Sequence, residues 1–342
     1  MIDLEKARQL KRNIAKQRRK IHRAWFYILT PILRMLTRNL VFSNDVSSKQ
    51  DGVGAQIQRM LAVASLAHYL RIPFQQSEIK EIAIHPLDPY QSEKEYLLFL
   101  TRLNHLLQID GKYNFNIYRS INHISEISMT NLILLGLKST IIRKYICLNV
   151  VSPYVLSDHI PDSYLKIRKS LSNFYSNQQI HNAETTIVIH YRHGVGGKAV
   201  YPGQRLAREL DEAYFTELID RYIFLDLSKT QCIVLTDAPE NDLDFKVPKN
   251  QSYLWEKSPN YNDGIMHIQG NNFPAFRQKF SNLQIIRGGD PIEALLIMSQ
   301  ADFLVLSRSS LSYLGGILNH KGQVFPAKGF WHPSLSNWAL TS

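Results

Sequence analysis

The sequence predicts an α/β fold with parallel strands and two domains, on three observations. Short β-branched runs alternate with helix-like segments along most of the chain, the pattern of successive βαβ units. The run at 185–189, TTIVI, is apolar and β-branched without interruption, as a strand covered on both faces of a parallel sheet requires. With 342 residues the chain exceeds what one hydrophobic core usually serves, so its length favours two domains. The expected division is a basic amphipathic N-terminal helix over 1–40, a first domain over 41–180 and a second over 181–342.

Composition narrows the function classes. Hydrophobic residues make up 44% and charged residues 20%, an ordinary globular balance rather than a disordered one. The formal net charge is +11, and residues 1–40 supply +9 of it through eleven Lys or Arg set against Asp3 and Glu5. The remainder is close to neutral, which argues against a nucleic-acid groove across the body of the protein. Cys147 and Cys232 each stand in an apolar run without CxxC or Cys/His spacing, so they read as small core residues of a reducing compartment. No apolar stretch reaches the roughly 20 residues of a membrane span. The nearest, 24–33, contains Pro31 and follows a basic segment too long for a signal peptide. A cytoplasmic protein is expected.

Taken in order, residues 3–29 lack Gly and Pro and are rich in helix formers, which predicts a helix. Its basic stretch runs into Trp25, Phe26, Tyr27, Ile28 and Leu29. That order suits a helix lying on an anionic membrane surface through residues 1–38, peripheral on the inner face. A solvated basic helix that packs its apolar end on the body or on a second subunit fits nearly as well. Gly52 and Gly54 then lead into a helix with Ile57, Met60, Leu61 and Ala64 at helical spacing. Glycines there either bare the backbone amides to an anion or form a simple tight turn. The missing GK[ST] ending argues against a nucleotide triphosphatase loop. A short apolar stretch from Ile79, the turn HPLDPY and a helix over 93–107 continue the alternation, with His85 and Asp88 as acceptor-side candidates in the turn. The apolar segment 130–151 reads as helix, and 152–183, with Pro153, Pro161 and a helix near 163–175, as a crossover between domains. Beyond 185–191 come a helix over 210–224, a strand over 231–240 and a loop-rich polar-aromatic stretch, 241–281, read as a mobile flap. A strand over 282–290, a helix from Pro291 and a strand over 302–307 complete the alternation.

The chemistry gathers at strand ends. His190, Arg192 and His193 fall at the carboxyl end of the 185–191 run, where open α/β sheets bind ligands. The planar fork of Arg192 suits a phosphate or carboxylate, and equally a structural ion pair. Gly194, Gly196 and Gly197 let the backbone approach whatever Arg192 holds. Ser307, Ser309 and Ser310 crowd a second strand end and a helix N-terminus, a second anion cradle. Two such cradles point to a diphosphate. The triplet Asp242-Leu243-Asp244 lies in a Pro-flanked loop and reads as a turn rather than a metal site.

These residues resemble the fucosyltransferase superfamily that joins the α1,2-, α1,6- and protein O-fucosyltransferases. HYRHG at 190–194 resembles its HxRxG motif, and HYRHGVGG is especially similar to the rhizobial chitin-oligosaccharide α1,6-fucosyltransferases. SQADFLVLSRSS at 299–310 is close to a segment of the α1,6 enzymes, DGVGAQIQRMLAVASLA at 51–67 resembles the N-terminal Gly-x-Gly-x-Gln motif, and TDAPE at 236–240 resembles the family's strand with an acidic turn. The resemblance implies two Rossmann-like domains facing across a cleft, the GT-B type. The C-terminal one would bind GDP-fucose, with no cofactor and no divalent metal. By the same motifs Arg192 would hold the β-phosphate, His190 would lie against guanine or its ribose, and Ser307, Ser309 and Ser310 would bind diphosphate oxygens. Gly52 and Gly54 would close over the donor, and Asp237 would belong to the donor site.

Two positions depart from the family's pattern. Where its guanine-reading carboxylate sits, this chain has Ala294, with Glu293 and Asp290 nearest. No carboxylate follows HYRHG before Glu209, so the general base stays open among His193, Glu209, Asp211 and Asp237. His193 leads on the resting pKa of an imidazole. The expected function is an inverting, metal-independent glycosyltransferase that moves a sugar, L-fucose in the first place, from a GDP-sugar to a hydroxyl of a glycan or lipid-linked glycan in polysaccharide biosynthesis. Its alternatives are a transferase using another nucleotide sugar, or a non-catalytic membrane- or nucleic-acid-associated adaptor that uses the basic arm on a degenerate sugar-nucleotide fold.

Overall fold

Two parallel sheets form, as the β-branched runs predict. The computed structural model describes residues 35–44, 53–75, 98, 100–103, 107, 115–122, 124–151, 161–165, 167, 185–193, 210–247, 249, 261–330 and 332–339. The expected N-terminal helix over 3–29 and the HPLDPY turn lie outside these residues, as do Gly52, His85, Asp88, Gly194, Gly196, Gly197 and Glu209.

The first half runs β1 (Leu40–Asn44), α1 (Val53–Leu70), β2 (Phe115–Ile121), α2 (Met129–Ile142) and β3 (Tyr145–Val150). Its strands lie parallel in the order β1-β3-β2. Phe74 bridges Phe42 on the outer side of β1, where the Phe42 amide donates to the Pro73 carbonyl at 2.8 Å. The apolar segment 130–151 is therefore a helix and a strand rather than one helix. Ser128 caps the helix start by accepting from the Asn131 amide at 3.3 Å, and Arg143 ends it in the left-handed region at φ 51°. The run YICLNV beyond that stop joins the sheet. Apolar character alone does not separate a buried helix from a buried strand, and the stop at Arg143 carries no Gly or Pro to mark it.

The second half runs β4 (Thr186–Tyr191), α3 (Glu212–Tyr222), β5 (Gln231–Thr236), β6 (Leu243–Lys246), β7 (Tyr261–Asn262), β8 (Ile265–Ile268) and α4 (Pro274–Lys279). It continues with β9 (Asn282–Arg287), α5 (Pro291–Gln300), β10 (Phe303–Val305), α6 (Ser310–Leu318) and β11 (Gln323–Phe325). Five of these strands make an all-parallel sheet in the order β11-β10-β4-β5-β9. The chain lays down β4, β5 and β9 in one direction, then returns to the other side of β4 for β10 and β11. That doubly wound order is Rossmann-like, and it reverses between β4 and β10.

Within 241–281, expected to be loop-rich and a mobile flap, the described residues form a three-stranded antiparallel sheet in the order β6-β8-β7. Val247, Met266 and Ile268 are buried beneath it. The turn from β7 to β8 places Asp263 at φ 47° and Gly264 at φ 82°, the left-handed pair that a tight hairpin uses. Asp242 and Asp244 belong to this small sheet: Asp242 Oδ1 accepts from the Gly270 amide at 2.8 Å, and Asp244 pairs with His267 at 2.7 Å.

One buried cluster joins both parallel sheets, uniting Leu40, Leu61 and Leu148 of the first half with Leu304, Tyr313 and Leu314 of the second. α1 lies directly on α6. A Cβ at Gly54 would stand 3.0 Å from the Leu311 Cβ, and Tyr164 meets Tyr313 edge-on at 6.2 Å. Cys147 and Cys232 are free and buried. Among the described residues no helix is long and apolar enough to cross a membrane.

Candidate functional site

The site is built where the strand order reverses. β4 is buried along its whole length, so its β-branched residues fix its register between β10 and β5 and deliver His190 and Arg192 to the carboxyl edge. His190, 6% exposed, bridges the reversal: its Nδ1 and the Ser307 hydroxyl beyond β10 are hydrogen-bonded at 2.8 Å. Burial holds the ring down to about 4, with Asp237 opposing and Arg192 assisting, so it is neutral at pH 7.

Arg192 follows β4, and Asp237 follows β5, the neighbouring strand. Their side chains, 15% and 21% exposed, form an ion pair at 2.8 Å between Nη1 and Oδ2. The other carboxylate oxygen of Asp237 accepts from the His193 amide at 2.7 Å. Asp237 thus fixes both the guanidinium and the turn that leaves β4. One Nη1 bond to Asp237 uses a single donor of a five-donor fork, so an anion can be held by the same guanidinium. The His193 ring is buried at 8% exposure, stacks on Tyr191 and bonds through Nε2 to the Gln269 carbonyl at 3.0 Å. A carbonyl only accepts, so Nε2 carries the proton and Nδ1 the lone pair.

The serine segment forms the facing wall. Ser307 is buried, and its amide donates to the Ser312 hydroxyl at 2.9 Å. Ser309 is the N-cap of α6 without a side-chain capping bond, and Ser310 opens the helix. Arg308, between Ser307 and Ser309, turns aside to donate its Nε–H to the Lys328 carbonyl at 2.8 Å. The positive end of α6 therefore lies beyond the same strand edge as Arg192, with Gly54 packed against its first turn.

Gly54 lies within the first turn of α1 rather than ahead of the helix, and its missing side chain admits the α6 backbone. Asp290 caps α5 by accepting from the Ile292 amide at 2.8 Å, while Glu293 in the first turn is exposed. Asp211 caps α3 through the Tyr214 amide. Asp211 and Asp237 each accept a backbone amide and keep further carboxylate lone pairs, so the base stays open among the described candidates His193, Asp211 and Asp237. Among the described residues no group of three or more His, Cys, Asp or Glu could hold a metal ion.

Sequence reasoning missed Arg287. It ends β9 in register with Thr236, and its Nη1 donates to the Ala238 and Pro239 carbonyls at 3.0 and 3.1 Å, bracing the turn after Asp237. The signal was present: IIRGG repeats the strand, arginine and glycine pattern of IHYRHG. Ser312, the partner of the Ser307 amide, carried no comparable signal.

No protein-family model matches the chain, and no curated protein matches it. Among solved structures it is similar to POFUT1 in complex with GDP-fucose, at 11% identity over 84% of this chain and 96% of that one, with a TM-score of 0.38. It is also similar to a mutant of Arabidopsis thaliana FUT1 in complex with GDP, at 12% identity over 86% and 70%, TM-score 0.36. E. coli heptosyltransferase WaaC with ADP aligns at 10% identity over 83% and 86%, TM-score 0.33. Likenesses this distant carry no chemistry to the present chain.

Proposed function

We propose that the protein is an inverting glycosyltransferase of GT-B type, which transfers a sugar from a nucleoside diphosphate to an acceptor hydroxyl. The observation that carries this reading is the crossing of the strand-order reversal by His190 and Ser307, with Arg192 and the α6 N-terminus on the same edge. A cation and a helix N-terminus facing one crevice suit a diphosphate, and a neutral His190 suits a base or ribose edge.

In this reading Arg192 offsets the charge that grows on the nucleoside diphosphate as the sugar departs, a charge stabilisation that often dominates catalysis. Ser307, Ser309 and Ser310, with the first amides of α6, hold phosphate oxygens. His193 is the first candidate among His193, Glu209, Asp211 and Asp237 to take the acceptor proton, and the hydroxyl attacks the anomeric carbon in line with the leaving diphosphate, inverting its configuration. The motifs favour GDP-fucose as donor, with Asp290 and Glu293 as the nearest carboxylates for guanine. The acceptor is a glycan or lipid-linked glycan, met at an anionic inner membrane surface.

The Arg192–Asp237 pair also favours a second reading, in which the arginine is purely structural and the protein is a binding adaptor. Calorimetric titration with GDP, GDP-fucose, UDP and CDP, in EDTA, separates the two. The transferase reading expects selective guanine-nucleotide binding that Arg192→Ala weakens by about 100-fold. UDP or CDP binding in place of GDP would move the donor and keep the site, and no binding at all would leave the adaptor.

A further inference from the structure

The helix α2 is apolar on opposite faces. Its inner face, with Leu132, Leu135 and Ser139, is buried against the first sheet. Its outer face presents Leu134, Leu137 and Ile141, at spacings of three and four, exposed to 58%, 42% and 81%. A surface helix ordinarily turns polar groups outward, as α3 does while burying Phe215, Leu218 and Ile219. A contiguous exposed stripe of Leu and Ile therefore marks a surface that meets something apolar.

Charge identifies what it meets. No Asp or Glu occurs between Glu126 and Asp158, so α2, β3 and their flanks carry no negative side chain. Lys138 stands on the stripe four residues after Leu134, and Arg143 and Lys144 follow the helix end, all three exposed. Met35, 62% exposed, lies one residue before the tie to α2. There a Cβ on Gly136 would come within 2.0 Å of the Leu36 carbonyl oxygen. A second copy docked on this face by a two-fold axis would set these three cations against their own images without a carboxylate to offset them. An anionic lipid surface satisfies both halves of the pattern.

We infer that α2 docks the protein on an anionic membrane surface. Leu134, Leu137 and Ile141 enter the boundary between headgroups and acyl chains, and Lys138, Arg143 and Lys144 lie at the level of the lipid phosphates. The contact is separate from the candidate nucleotide site and does not depend on the function proposed for it.

The test is co-sedimentation of the full-length protein with phosphatidylcholine vesicles, with and without phosphatidylglycerol. The wild type is expected to bind only the phosphatidylglycerol vesicles. The double substitution Leu134→Asp with Ile141→Asp lowers its partition coefficient by about tenfold or more. Because these positions are exposed, the variant keeps the wild-type thermal transition. Should it not fold, Lys138→Glu with Lys144→Glu provides the second variant and lowers the same coefficient by about tenfold or more. Three results overturn the inference: no wild-type binding to either vesicle, folded α2 variants that bind like the wild type, or a solution dimer that the α2 substitutions dissolve.

Discussion

Arg192 and Asp237 define the site by their mutual hold, which makes the two substitutions unequal. Arg192→Lys keeps a positive charge beside Asp237 but loses the fork, so nucleotide binding weakens by about tenfold. Arg192→Ala loses every charge-assisted bond and weakens it by about 100-fold, at the upper end of what such bonds contribute. Titration of both variants checks the order, and a lysine variant as weak as alanine would mean that geometry rather than charge holds the ligand. His190 carries the pH dependence. Its folded pKa, held to about 4 by burial, lies below the unfolded value, so the unfolded chain takes up the proton first as pH falls. The neutral ring's contribution is complete above the unfolded pKa, is lost as pH falls from about 6.5 toward 4, and is of order 3 kcal/mol. Urea unfolding midpoints at pH 7 and pH 5 measure it, and His190→Gln flattens the difference. Burial also pushes the Cys147 thiol up to about 12 and the Cys232 thiol higher, so neither reacts with a thiol reagent at pH 8 until the protein unfolds.

Single turns decide how the elements meet. Gly264 sits at φ 82° with nothing within 4 Å of where a Cβ would stand, so Gly264→Ala carries a backbone penalty without a clash. It should cost about 1–2 kcal/mol, read as faster amide exchange in β7 and β8 with little change in β4 and β5. That hairpin was legible: Asn262-Asp263-Gly264 is a strong turn signal, masked by the polar and aromatic residues around it. The parallel strands were legible because burial on both faces demands β-branched runs such as TIVIHY and QCIVLT. The division of 130–151 was not, since Leu and Ile serve either state and the stop rests on one left-handed arginine. At the site, the strand-end arginine and serines were readable as types, and their partners were not. Nothing local announces that Asp237, far along the chain, would hold both Arg192 and the amide of His193, because sheet register alone brings β4 beside β5.

At the scale of the molecule, one buried cluster reaches both parallel sheets, while a second covers the other side of the five-stranded sheet. Leu40 and Leu148 share a buried cluster with Leu304 and Leu314, and α1 lies on α6 closely enough that a Cβ at Gly54 would stand 3.0 Å from the Leu311 Cβ. Burying a residue larger than glycine there forces the helices apart, which costs about 1–3 kcal/mol. Gly54→Val should therefore lower the unfolding midpoint of the whole protein, not of its first half alone. Differential scanning calorimetry provides the check, with a single transition expected for the wild type and for Gly54→Val at lower temperature. The candidate diphosphate site lies at the α6 N-terminus beside this contact, so a bound nucleotide should raise that same transition. A saturating ligand at 100 times its dissociation constant adds about 2.7 kcal/mol to the folded state. Two separable transitions, only one of them sensitive to nucleotide, would mean that the shared cluster does not couple the halves, and Gly54→Val would then leave the nucleotide-sensitive transition where it was.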